Sequence, residues 1–147
     1  MSPSVVRETV TIMRPPEAVW ELTSDPVKDI GWCPKVRSVQ PVGDRRWRVI
    51  HRPVPLLPAK VLSLEHLEVQ PPHRLSMHQE DDVSVFSVEY QLAATPQGTE
   101  FTQVSEFTFK RLSRVLRPIF KRGVRRDIQA QLRALKRLLE SEDLRAG

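Results

Sequence analysis

His51 and Tyr90 are the side chains of this 147-residue chain best placed for acid–base chemistry. His51 ends an alternating run, Arg46–Arg52, in which Trp47 and Val49 share its side and Arg46, Arg48 and Arg52 take the other. An imidazole beside an apolar interior can act as acid or base, because its unperturbed pKa is ~6.5. Tyr90 could polarise a carbonyl, as cyclisation or dehydration needs. The competing reading is that both are hydrogen-bonded structural residues of a filled core. His66, His73 and His78 lack the compact spacing, with a carboxylate ligand in the same element, of a metal site. No glycine cluster makes a phosphate loop, and no Ser-His-Asp order stands out. Neither a metal nor a cofactor is expected. Cys33 is the single cysteine, so no intramolecular disulfide can form, which suits a reducing compartment.

These residues need elements to hold them. Val5–Met13 alternates and is rich in β-branched residues, which predicts a strand. Pro15-Pro16 ends it and opens a short amphipathic helix carrying Ala18, Val19 and Leu22, with Trp20 as ordinary core. Ser24-Asp25-Pro26 breaks that helix, Asp25 caps a second turn through Val27–Ile30, and Gly31 ends it. Strands are then expected at Lys35–Val42, Arg46–Arg52, Ala59–Val69, His73–Glu80, Val83–Ala94 and Thr99–Phe109. Turns fall at Gly43-Asp44, the interruption PVPLLP, Pro71-Pro72, Asp81-Asp82 and Pro96-Gln97-Gly98. From Leu112 to Glu140 the apolar period becomes helical, through Leu116, Ile119/Phe120, Val124, Ile128, Leu132, Leu135 and Leu138/Leu139. Pro118 either lies in the first turn of this helix or kinks it, so an irregular first third is expected. The order predicts one α+β domain over residues 1–147: an antiparallel meander covered by a long C-terminal helix, with two short helices plugging one end.

Alternation assigns faces. Phe86, Val88, Tyr90 and Leu92 point one way on their strand. Phe101, Gln103, Ser105, Phe107 and Phe109 do so on the next, opposite Glu100, Thr102, Glu106 and Thr108. Trp47, Val49 and His51 form another inward row, and Leu75 and Met77 another. From the helix, Leu116, Phe120 and Val124 face this set, Phe120 being expected buried. An apolar wall with a few polar groups is the profile of a small-molecule site, although the same residues could simply fill a core.

The formal charge of +5 is uneven. Eleven Lys/Arg and a single acid, Asp127, lie between Lys110 and Arg137, while the rest of the chain is net acidic. Long basic stems can merely cover apolar surface. A stripe this short of acids also suits anionic headgroups or RNA backbone, with Arg122, Arg125 and Arg126 as the contacts. Too few aromatics are interleaved for base reading. The N-terminus has no signal-peptide core and no run is long enough to span a bilayer, so a cytoplasmic protein is expected. A homodimer is compatible with the sequence.

PPEAVWEL followed by SDP, a Trp-x-Pro loop, strands, and a basic helix ending LRALKRLLE resembles the START-like (SRPBCC) superfamily, in its polyketide cyclase/dehydrase-like branch, from Val5 to Glu140. That resemblance implies the helix-grip fold, a curved antiparallel sheet around the C-terminal helix with a hydrophobic cavity between them. It implies a bound lipid or polyketide-like molecule, a cyclase or dehydratase, or an interaction module. It also places the loop of Trp32 near the cavity mouth, where the indole either covers a ligand or wedges the short helices onto the sheet. The ligand contacts expected on this reading are Trp32, Trp47, His51, Met77, Phe86, Val88, Tyr90, Phe101, Gln103, Ser105, Phe107, Leu116, Phe120 and Val124.

Overall fold

The computed structural model describes residues 3–53 and 60–146. Most of the expected PVPLLP interruption, and the first residue of the strand expected at Ala59–Val69, lie outside the described residues. In chain order the elements are β1 (Ser4–Ile12), α1 (Pro16–Thr23), a 3₁₀ helix (Pro26–Gly31), β2 (Val36–Gly43), β3 (Arg46–His51), β4 (Lys60–Gln70), β5 (Arg74–Glu80), β6 (Ser84–Thr95), β7 (Gly98–Phe109) and α2 (Arg117–Ala146).

Local chemistry accounts for the short helices. Proline is tolerated in the first turn of α1, where its missing N–H would have no intrahelical partner. The Pro15 carbonyl instead accepts from Ala18 and Val19 at 3.0 and 3.2 Å. The Asp25 carboxylate accepts from the Val27 N–H at 3.1 Å, so the expected cap opens the 3₁₀ helix. The Asp29 carbonyl closes it, accepting from the N–H groups of Trp32 and Cys33.

All seven strands join one antiparallel sheet in the order β1-β7-β6-β5-β4-β3-β2. β2 to β7 lie side by side in sequence order, and β1 closes the other edge by pairing with β7, Val6 opposite Ser105 and Val10 opposite Phe101. Irregularities in β2 and β4, the latter between His66 and Glu68, bend the strands and curve the sheet. α1 and the 3₁₀ helix bridge the two edges, from the end of β1 to the start of β2.

α2 runs along β1. Ile128, Leu132, Leu135 and Leu139 are its buried stripe. A polar seam fixes its register. Gln129 Nε2 donates to Glu8 Oε1 at 2.8 Å and Lys136 Nζ to the Thr11 carbonyl at 2.6 Å. Glu140 accepts from the Met13 N–H at 3.0 Å, and Arg14 donates to the Leu139 carbonyl at 2.8 Å. Pro118 sits in the first turn, so no kink is needed; the expected irregular third is a series of turns before Arg117. The expectation that Phe120 is buried is overturned. It is 44% exposed, because the fully buried part of the stripe begins only at Ile128 and Phe120 meets the sheet at its margin, against Phe109. Thr102, expected outward, is buried on the outer face, its hydroxyl 3.0 Å from that of Thr9 on β1. Among the described residues no helix is long and apolar enough to cross a membrane.

Candidate functional site

The sheet register builds the concave wall row by row. Phe86, Val88, Tyr90 and Leu92 of β6 stand opposite Phe107, Ser105, Gln103 and Phe101 of β7. On the other side Met77 faces Val88 and Leu75 faces Tyr90. Two aromatic groups result. At one end Tyr90 and Phe101 lie 5.1 Å apart, and Trp32 meets them edge-on at 6.0 and 6.4 Å. At the other, Phe86 stacks on Phe107 at 5.0 Å, Phe107 meets Phe109 at 5.7 Å, and Phe109 meets Phe120 at 5.3 Å. Val88, Met77, Gln103 and Ser105 lie between the groups.

Polar atoms punctuate this wall. Gln103 Nε2 donates to Ser105 Oγ at 3.4 Å, but Gln103 Oε1 is buried without a partner among the described residues. So are His66 Nε2, Trp32 Nε1 and Asp29 Oδ1. Buried polar atoms in folded proteins are nearly always hydrogen-bonded to protein, water or ligand. Gln103 Oε1 and His66 Nε2 on the sheet mark places for an external donor or acceptor, while Trp32 Nε1 and the Asp29 carboxyl lie near enough to influence each other.

Burial sets the charge states. It lowers the pKa of His66, which meets Trp47 in a tilted contact with ring centroids 4.4 Å apart, to about 4, the Arg45 guanidinium adding to the effect. Burial, then Lys35 and Lys60, lowers His51 to about 4. Burial, then Asp25, raises Asp29 well above the usual carboxylate range; the nearby Trp32 indole opposes that rise without reaching hydrogen-bond geometry. The Cys33 thiol and Tyr90 phenol are also pushed up, first by burial and then by Asp29. The interior at neutral pH therefore offers neutral imidazoles, an intact thiol and an intact phenol.

The histidine shifts have a pH consequence. A histidine whose folded pKa lies below its unfolded value favours the folded state above about 6.5, and that contribution is lost as pH falls toward about 4. Stability is expected to drop by about 2 kcal/mol in all over this window, after discounting for partial solvent screening. Urea unfolding at the two ends of the window measures it, and His66→Phe should remove a substantial part of the dependence. A flat profile would contradict the buried neutral state of His66.

The positions separate some of the residues the sequence grouped. His51 pairs with Lys60 at one end of β4, whereas Tyr90 pairs with Leu75 of β5, which in turn pairs with Val69 near the other end of β4. Nine residues along β4, roughly 30 Å of strand, separate these levels, so His51 and Tyr90 do not converge on one bond. Trp32 is 1% exposed and lies against Tyr90 and Phe101, the position of a wedge between the 3₁₀ helix and the sheet. Trp47 and Val124 are half-buried against the core, while Leu116 and Phe120 are exposed. Arg122 and Arg126 are exposed, and Arg125 lies 3.7 Å from Glu8.

His66, Glu8 and Asp29 were not legible as site residues. His66 carried a usable signal, being in phase with Leu62 and Leu64 on β4. Glu8 is in phase with Val6 and Val10, but an acid at an inward position reads as noise until Gln129 and Arg125 are seen above it. Nothing local distinguishes Asp29 from a solvated acid. Among the described residues no group of three His, Cys, Asp or Glu could hold a metal ion. An open groove of about 320 Å³ lies between the β1–α1 junction, Met13–Pro16, and the β6–β7 turn, Ala94–Gly98, away from the concave wall.

Residues 4–140 match the family described as polyketide cyclase / dehydrase and lipid transport. No curated protein matches. Among solved structures, a START superfamily protein from Mycobacterium smegmatis is 13% identical with a TM-score of 0.81, over 93% of this chain and 97% of that one. The Zhui aromatase/cyclase from Streptomyces sp. R1128 is 16% identical with a TM-score of 0.75, over 94% of each chain. Protein CV1439 from Chromobacterium violaceum is 18% identical with a TM-score of 0.77, over 94% of this chain and 99% of that one. At these identities the likeness is one of fold: an α+β helix-grip architecture.

Proposed function

We propose, from the premise that this chain belongs to the polyketide cyclase / dehydrase and lipid transport family, that it holds an apolar or aromatic small molecule, lipid- or polyketide-like, between the concave sheet and α2. One observation carries the reading: the concave layer is apolar, yet among the described residues it keeps two buried polar atoms on the sheet without partners, Gln103 Oε1 and His66 Nε2. An entirely filled core has no use for such atoms, since each costs about 1–3 kcal/mol when left unsatisfied. A guest with a hydrocarbon body and one or two hydroxyl or carbonyl groups satisfies them.

The guest's chemistry follows from the atoms on offer. Gln103 Oε1 accepts and the Trp32 indole N–H donates, while neutral His66 Nε2 does either according to its tautomer. The aromatic neighbours of Tyr90, Trp32 and Phe101, suit binding and orientation of a ring. With His51 at the far end of the sheet, an acid–base pair of His51 and Tyr90 is not part of this reading.

Native mass spectrometry of the protein as purified, followed by titration of the delipidated protein with naphthalene and 1-naphthol, tests it. Wild type should bind both and prefer 1-naphthol by about tenfold, the worth of one net hydrogen bond of about 1–1.5 kcal/mol to a buried acceptor. Gln103→Leu should keep naphthalene and lose much of that preference. No copurified molecule, together with no saturable binding of either probe, would end the reading.

A further inference from the structure

We propose that the segment from Val115 to Arg126 docks on the surface of an anionic phospholipid bilayer. The inference rests on the ligand reading above and supplies what that reading lacks, a source or destination for an apolar guest.

The first observation is apolar exposure in an unusual place. Val115 is 80% exposed, Ile119 63%, Phe120 44% and Leu116 42%. These four adjoin one another at the turn before α2 and in its first turn, because residues three and four apart share a helix face. A Cβ built on Gly123, one turn further on, would meet nothing within 4 Å. The start of α2 therefore turns an open face to solvent and meets the sheet only at its margin, through Phe120 on Phe109.

The second observation is charge. Residues 110–126 contain eight Lys/Arg and no acid. Lys110 is paired with Glu80 and Arg125 lies near Glu8. Among the described residues Arg111, Arg114, Arg117, Lys121, Arg122 and Arg126 form no ion pair. Apolar side chains ringed by unpaired cations are the pattern of an interfacial helix, whose apolar residues enter the acyl boundary while its cations meet anionic headgroups.

Other occupants fit less well. RNA backbone would use the arginines but leave Val115 and Ile119 in water. A second copy seated face to face on the same patch would bring like charges together. The patch is also continuous with the concave wall, since Phe120 touches Phe109, which touches Phe107, which stacks on Phe86. A bilayer beneath Phe120 meets the outer end of an aromatic path into the interior.

Co-sedimentation of the full chain with vesicles tests this, comparing phosphatidylcholine alone with three parts phosphatidylcholine to one part phosphatidylglycerol. Wild type should partition onto the mixed vesicles at least about tenfold more strongly, with the advantage shrinking as salt rises. The double variant Val115→Asp/Ile119→Asp should lose about tenfold or more, and so should Arg114→Glu/Arg122→Glu. Both pairs change exposed side chains, so thermal unfolding and 1-naphthol binding should match wild type. Binding that depends on the arginines but not on Val115 and Ile119, and is displaced by a short RNA duplex, would overturn the proposal in favour of RNA. Self-association lost in the apolar variant, without vesicle binding, would overturn it in favour of a second copy. Wild type that takes up 1-naphthol but ignores both vesicles would overturn this inference alone. Vesicle binding without any probe uptake would support it and overturn the ligand reading alone.

Discussion

Trp32→Ala is expected to lower the free energy of unfolding by about 3–5 kcal/mol, with a fall in melting temperature of about 10 °C. Trp32 is 1% exposed and meets Tyr90 and Phe101 edge-on, so it joins the loop after the 3₁₀ helix to β6 and β7. Removing the indole deletes its buried surface and leaves a cavity that its neighbours fill only in part. A wedge and a cover differ in what they predict for the empty protein. A wedge loses stability without any ligand, whereas a cover would leave the empty protein unchanged and speed ligand release. Trp32→Phe separates packing from hydrogen bonding, because it keeps an aromatic body and removes Nε1, an atom with no partner among the described residues. It should cost clearly less than the alanine variant while weakening a carbonyl-bearing guest. Urea unfolding of the delipidated variants, with an unchanged m-value, gives the measurement. An alanine variant as stable as wild type would rule out the wedge.

Gly98→Ala is expected to cost about 3 kcal/mol or more, although the new side chain is a single methyl group. Gly98 has φ +156°, where a Cβ is strained, and its space is already taken by backbone. A Cβ there would lie 2.3 Å from the Ile12 carbonyl oxygen and within 2.9 Å of Arg14 backbone atoms. None of these can swing aside as a side chain would. Thr99, the next residue, ties the same junction by donating from its hydroxyl to the Arg14 carbonyl at 2.7 Å. The substitution therefore pushes the β6–β7 turn off the link between β1 and α1, loosening the edge strand against which α2 packs. Thermal and urea unfolding read the loss, and hydrogen exchange should show it concentrated in β1 and α2. A melting temperature within a degree or two of wild type would mean that this turn has slack the contacts do not indicate.

These effects also show where sequence reading reaches and where it stops. The punctuation was legible: Pro15-Pro16, Ser24-Asp25-Pro26 and Pro96-Gln97-Gly98 each mark a real boundary, because proline and glycine act through their own backbone geometry. Period-two alternation correctly grouped Phe86, Val88, Tyr90 and Leu92, and Phe101 with Gln103, Ser105 and Phe107, since strand geometry alone puts alternate residues on one face. Boundaries were less legible: the helix expected at Leu112–Glu140 is Arg117–Ala146, and several strand ends shift by a residue. The β2–β3 turn centres on Asp44 and Arg45 rather than Gly43 and Asp44, with Arg45 at φ 57° where glycine would be the usual choice.

The chain by itself determined the elements, their order, the antiparallel meander and the apolar face, because each follows from residues within a few positions of one another. Only the tertiary structure decided which of those residues meet. The strand register moved His51 a sheet's length from Tyr90, and the apolar phase of β4 turned His66 inward. The seam of Glu8, Thr11 and Met13 along β1 fixed where α2 lies, burying Leu132 and leaving Ile119 in solvent. Those outcomes depend on pairings between residues up to 127 positions apart. A helical period reveals that a face is apolar; what that face rests against is settled by contacts that no local pattern encodes.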